Sequence, residues 1–208
     1  MTKLEIQNRI GIGWRKFWAL KRLLLNGKVS RKKRLRLFDA TVGSSILYGS
    51  HAWTPRTEEC RLIRTTQNRM LRKICRAGRR PEEPWVDWIT RATHAARRNA
   101  QEVGVRDWVF AHARRKWQWA GHVARKPATS WMWSVTSWRD SDWAKLVDDI
   151  GGSRERRPLR RRWMKWEDSM RRFVAEEELN SWMALAADKI MWNEKTDSFA
   201  IWYAGHEK

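Results

Sequence analysis

Residues 30–77, SRKKRLRLFDATVGSSILYGSHAWTPRTEECRLIRTTQNRMLRKICRA, read as two helices meeting at a tight corner. Ser30 is a good N-cap for the first, because its hydroxyl can accept an amide proton that a helix leaves unpaired at its start. Thr57, Glu58 and Glu59 suit the start of the second, where carboxylates meet the positive end of the helix dipole. At about 100° per residue, Ile63, Gln67, Met70, Leu71 and Ile74 share one face of that helix, which spans 57–76. Arg61, Arg64, Asn68, Arg72 and Arg76 fall on the opposite face, so a row of guanidinium groups stands above a face that can bury. The first helix, residues 31–47, lines up Leu35, Phe38, Val42 and Ile46, with Arg31, Lys32, Lys33, Arg34 and Arg36 crowded at its start. Cations there oppose the dipole, so they either offer charge to phosphates or form a solvated face.

Outward from this corner the chain continues in helical periods. Residues 4–26 carry Ile6, Ile10, Phe17, Leu20 and Leu24 as an apolar stripe that ends at Asn26-Gly27. Residues 77–84, AGRRPEEP, form a loop with Gly and two Pro. Helices are expected over 85–102 and from 105 through Gly121-His122-Val123, with Gly104 marking the break. Pro127 ends this array, 128–137 is less regular, and a short helix over 138–149 stops at Gly151-Gly152. Residues 153–162, SRERRPLRRR, form a basic hinge before a last pair of helices, 159–178 and 181–195. No strand pattern and no internal repeat stands out. The fold class is all-α, a multi-helix array.

The 208 residues allow one domain or two small ones. A formal net charge of +21 is extreme for a globular chain, and 24 Lys/Arg against 7 Asp/Glu fall in the first 100 residues. So basic a half suggests the electrostatic footprint of a polyanion. Nucleic acid fits best, because the charge alternates with apolar helical periodicity; a membrane-surface helix is the competing reading. The longest uncharged run, residues 40–55, is too short and too polar to span a bilayer. Seventeen tryptophans beside five Phe and two Tyr make Trp the main aromatic, for the core or for stacking on bases. Packing beside apolar stripes predicts that Trp14, Trp53, Trp117, Trp163 and Trp182 are buried. Cys60 and Cys75 lie on one helix, about 22 Å apart at its rise per residue, which excludes a disulfide between them. With no disulfide framework and no secretory signal, an intracellular chain is expected, in the nucleus or a cytoplasmic ribonucleoprotein.

Four blocks carry a family resemblance. Leu47-Tyr48-Gly49, Trp53 and Asn68-Arg69-Met70-Leu71-Arg72-Lys73-Ile74 resemble the region after the palm in LINE-type (non-LTR) retrotransposon reverse transcriptases. Glu5-Ile6 with Arg9-Ile10 resemble the segment entering the thumb. Trp119 through Arg125, WAGHVAR, resembles a W-x-G-H-V-x-R block, and Arg157-Pro158 through Arg162-Trp163 a G-R-P-x-x-R-W block. The blocks keep the family's order over residues 4–170. The resemblance implies a thumb-like helical region over 1–80 and a post-thumb helical region over 81–152. A basic hinge with C-terminal helices follows over 153–208. It further implies a grip on RNA or DNA, or on an RNA–DNA hybrid, with a palm-bearing reverse transcriptase supplied in trans.

The chemistry of polymerisation is missing from the pattern. The family's palm holds divalent metal with a motif resembling Y/F-x-D-D, and none occurs here. Asp148-Asp149, the one adjacent aspartate pair, lies downstream of the thumb-like region where the palm should be upstream. His112 and His122 have no cysteine nearby to complete a tetrahedral zinc site, and His51 stands where relatives often carry Glu. His122 reads as a packing or hydrogen-bonding histidine. The chain is therefore expected to be no enzyme and to need no cofactor or metal. Arg31, Lys32, Lys33, Arg61, Arg64, Arg72, Arg76, Arg160, Arg161 and Arg162 are the expected nucleic-acid contacts. A protein-interaction module with a solvated basic surface is the alternative.

Overall fold

The structure, a computed structural model, describes residues 2–127, 129–132, 166–179 and 181–206. Among these every regular element is helical. The chain divides into two compact units, Met1–Arg115 with Ala200–Lys208, and Lys116–Phe199. Residues 80 and 81 both fall within the first unit, while the junction at 152–153 lies outside the described residues. No described helix is long and apolar enough to cross a membrane.

The first unit contains α1 (Thr2–Ala19), α2 (Lys21–Leu24), α3 (Arg31–Phe38), a π segment (Asp39–Gly43) and α4 (Ser44–Ile46). A 3₁₀ turn (Ser50–Ala52), α5 (Thr57–Cys75), α6 (Trp85–Gln101) and the start of α7 (Trp108–Ala124) follow. Both expected helix starts are capped. Ser30 Oγ accepts the Lys33 N–H at 3.4 Å, and the Glu59 carboxylate accepts the Arg56 N–H at 2.7 Å. The whole expected face of α5 is buried, as are Ile6, Phe17, Leu24, Leu35 and Phe38 of the preceding helices. Each such side chain contributes about 1.5–3 kcal/mol over leaving it in water, so packed stripes rather than propensity hold the unit.

Periodicity alone reads residues 31–47 as one α-helix, but its middle is a π turn. The Ser44 N–H reaches back five residues to the Asp39 carbonyl. A widened turn leaves carbonyls underused, and hydroxyls take them. Thr41 Oγ1 donates to Leu37 O at 2.6 Å, Ser44 Oγ to Ala40 O at 2.7 Å, and Ser45 Oγ to Thr41 O at 2.8 Å. The element then sets Ile46 against Gly13 of α1, where a Cβ would overlap the isoleucine. At the corner Gly49 takes φ 69°, a left-handed conformation that a side chain would strain.

The second unit uses the end of α7, α8 (Asp168–Glu176), α9 (Trp182–Ala187) and α10 (Lys189–His206) as far as Phe199. Its core is aromatic: Trp117, Phe173, Trp182, Trp192 and Phe199 are all buried. The rings of Trp117 and Trp192 stack at 3.7 Å and 4°. Of the five tryptophans expected inside, Trp53, Trp117 and Trp182 are buried, Trp14 is half-buried, and Trp163 lies outside the described residues. The single helix expected over 181–195 is two. Asp188 is extended, with ψ 107°, and its Oδ1 accepts the Ile190 and Met191 N–H groups at 2.8 and 3.1 Å. That aspartate ends α9 and caps α10.

Candidate nucleic-acid interface

The basic run that opens α3 separates into two kinds of cation. Arg31, Lys32, Lys33 and Arg36 are exposed, while Arg34 is buried at 7% exposure. Arg34 donates from Nη1 to Ile74 O at 2.6 Å and Leu24 O at 3.3 Å, and from Nε to Val29 O at 3.0 Å. Its guanidinium thus sits at the carbonyl ends of α2 and α5, where the helix dipoles favour a cation. Burial, with Arg76 and then Arg31 close by, holds Arg34 below its ordinary arginine value. Three guanidinium groups therefore crowd one corner, and a bound anion would relieve their repulsion. Arg76 ends α5 in a left-handed cap with φ 51°, and its guanidinium donates to Leu25 O.

The arginine row of α5 does not stand clear of the protein along its length. Arg61 and Arg76 are exposed, but Arg64 and Arg72 are half-buried. Arg64 donates to Ala204 O at 2.6 Å and its Nε lies 3.6 Å from Asp107 Oδ2. Arg72 donates to Thr93 Oγ1 of α6 at 2.7 Å, and Asn68 Oδ1 accepts from Arg97 Nε at 3.0 Å. Burial, and then the nearby Arg69, push Arg72 below its ordinary value. Arg72 and Asn68 of the expected row lean toward α6, while Arg64 leans toward Asp107 and Ala204. The face that water reaches runs instead through Arg61, Arg69, Lys73 and Arg76. Arg69 and Lys73 escaped the sequence reading, although a helical wheel centred opposite the whole apolar face of Ile63, Gln67, Met70, Leu71 and Ile74 places both on the outer side. Lys73 Nζ lies 5.3 Å from the centre of the Trp18 ring of α1, a cation–π contact. Trp18 is itself stacked on Trp14, with ring centres 6.1 Å apart.

Arg160, Arg161 and Arg162, the other expected contacts, lie outside the described residues, as do the Arg157-Pro158 block and Asp148-Asp149. No group of three or more His, Cys, Asp or Glu among the described residues could hold a metal ion. His112 is fully buried, its ring 6.0 Å from that of Trp53 and 5.6 Å from that of Tyr203. His122 is exposed, its ring 5.5 Å from Trp119. Burial, and then Arg115, lower the pKa of His51.

The motif blocks map onto contacts. Arg9 pairs with Glu5 at 2.7 Å and lies 4.7 Å over the ring of Tyr48. Leu47 O accepts from Arg115 Nη1 at 2.6 Å. In WAGHVAR, Gly121 lies against the Trp192 indole, Val123 is buried, and Arg125 Nη1 donates to Ala186 O at the end of α9, at 2.8 Å.

These features define a strongly basic, all-α protein. The chain is similar to an uncharacterized transposon-derived protein, F52C9.6, of Caenorhabditis elegans, with 28% identity over 196 residues. The match takes in 90% of this chain and 62% of that protein, so the chain spans less than two thirds of its relative's length. No protein-family model and no solved structure matches. The chain is thus a relative of a transposon-derived protein.

Proposed function

We propose that this chain is the thumb and post-thumb portion of a LINE-type reverse transcriptase-like protein, and that it grips nucleic acid rather than copying it. The observation that carries the reading is the outer face of α5, with Arg61, Arg69, Lys73 and Arg76 exposed while the inner face is buried. Arg61 and Arg76 span about 22 Å at the rise of a helix, somewhat over half the pitch of a nucleic-acid duplex. A row held by a packed helix loses little ordering entropy on binding, and each arginine fork can give a phosphate two hydrogen bonds. The four motif blocks in family order and the transposon-derived relative support the same reading. No palm motif lies within these 208 residues, so polymerisation falls to a palm outside them, and an RNA–DNA hybrid is the expected cargo.

The test is equilibrium binding of a labelled RNA–DNA hybrid between 50 and 200 mM salt. Four phosphate contacts predict that log K falls with log salt at a slope near about −3.6. Absence of hybrid binding, with a salt-insensitive protein partner instead, would overturn the reading. Mg²⁺-dependent nucleotide incorporation that persists through further purification would overturn its non-catalytic half.

A further inference from the structure

Between α5, the last turn of α6 and the 102–107 connection, the first unit holds a cleft of about 200 Å³. That is below the roughly 300–1,000 Å³ of sites for drug-sized ligands, and suits a single planar ring. Its floor is apolar, with Leu71, Ala100 and Val105 at 2, 3 and 4% exposure. Gln67 fixes the far wall, donating from Nε2 to Arg106 O at 2.8 Å and accepting the Trp108 N–H on Oε1 at 3.0 Å.

The lining also carries Arg97 and Arg106, both exposed. Asn68 Oδ1 accepts from Arg97 Nε, which orients that fork. The Nδ2 of Asn68 and the amide of Gln101 then supply donors and an acceptor to the lining. The one carboxylate there, Asp107, is committed elsewhere. Its Oδ1 accepts the Val109 and Phe110 N–H groups at 2.8 and 3.2 Å, and its Oδ2 faces Arg64.

We propose that this cleft is a single-nucleotide subsite, taking one unstacked base of a single-stranded segment with its flanking phosphates on Arg97 and Arg106. The proposal rests on the nucleic-acid reading above and narrows it. Bases within a duplex stay stacked and cannot enter a one-ring cleft. Single strands present both a ring face and a hydrogen-bonding edge, which an apolar floor and side-chain amides can read. The subsite therefore addresses an unpaired end or loop beside whatever duplex α5 grips.

Two labelled strands of equal length and charge test this: a 12-nucleotide single strand, and its abasic counterpart that keeps only sugar and phosphate. At matched salt the wild-type chain should hold the base-bearing strand tighter by about fivefold or more, the worth of about one net hydrogen bond to the base edge. Asn68→Leu with Gln101→Leu should erase most of that preference and, because Asn68 also orients the Arg97 fork, reduce the salt slope by no more than about 0.7. Gln101→Leu alone, at an exposed position, should lower it in part with the fold intact by circular dichroism. Arg97→Gln with Arg106→Gln should weaken both strands alike and reduce the slope by about 1.4. Equal wild-type affinity for the two strands, with steep salt dependence, overturns the subsite and leaves the nucleic-acid reading standing. Binding of neither strand overturns the subsite, and the hybrid titration above decides the nucleic-acid reading by itself. A nucleoside monophosphate that occupies the cleft without displacing the strand overturns the strand assignment.

Discussion

Trp117 and Trp192 hold each other by a reciprocal exchange: each indole N–H donates to the other's main-chain carbonyl, at 2.9 and 3.1 Å. Their stacked rings therefore cannot slide or flip without breaking two buried hydrogen bonds. Gly121, one turn beyond Trp117, lies in the shadow of this pair. A Cβ there would sit 2.6 Å from Trp192 Cδ1.

The first prediction contrasts two helical glycines. Gly→Ala in a helix interior normally gains up to about 1 kcal/mol. Gly11, with nothing within 4 Å of a built Cβ, should show that gain. Gly121→Ala should instead lose about 1–3 kcal/mol, because the ring it meets is pinned. Urea unfolding of both variants decides the matter, and a Gly121→Ala variant as stable as Gly11→Ala would contradict it.

Neighbouring cations should behave oppositely. Arg34→Gln removes donors from three carbonyls, two of them at helix ends, and should cost about 2–3 kcal/mol. Lys33→Gln, at an exposed position, should stay within about 0.5 kcal/mol of wild type in the same urea titration.

On α5, changing Arg61, Arg69 and Lys73 to Gln should lower stability by no more than about 1 kcal/mol, the scale of the exposed Lys73–Trp18 cation–π contact. It should reduce the salt slope of hybrid binding by about 2.7. Arg64→Gln with Arg72→Gln should do the reverse, lowering stability first, because both side chains are tied to Ala204 and Thr93. Equal effects of the two sets on binding at matched salt would show that the outer face is not the grip.

The loop before α6 gives a pH test. Glu83 Oε1 and Oε2 accept from Arg91 at 2.7 Å, and Oε2 also accepts the Arg80 N–H at 3.0 Å. These bonds, Arg91's first, hold its carboxyl down at about 2. A lowered carboxyl stabilises the fold above its ordinary value of 4.5, and that contribution fades as pH falls toward 2. Glu83→Gln should therefore be less stable than wild type at pH 6, with the gap closing through pH 4 and 3. A gap that stays constant over that range would refute the pairing.

Some of this was legible in the residues and some was not, for physical reasons. Ser30, the Glu59 carboxylate, Gly104 and the buried face of α5 could be read directly, since capping and periodicity are local. The lean of Arg72 toward α6, and of Arg64 toward Asp107 and Ala204, could not. A wheel shows which side is polar, but not which neighbour packs along its edge. Arg34 is the sharpest case. Within a run of five cations nothing local marks the one whose three carbonyl partners come from residues 24, 29 and 74. Asp188 was visible in kind, as a capping residue inside an apolar run, and continuous helical period hid it.

The π segment Asp39–Gly43 behaves as an expansion joint. Its wide turn absorbs one residue more than an α turn would, and the hydroxyls of Thr41, Ser44 and Ser45 hold the opened seam. A one-residue deletion there could close the turn to ordinary α geometry and keep Ile46 seated against Gly13. The same deletion within α5 would turn everything beyond it by about 100°, carrying its arginines round toward the core. The chain can therefore lose a residue at 39–43 while its packed faces stay in phase, and α5 has no such slack.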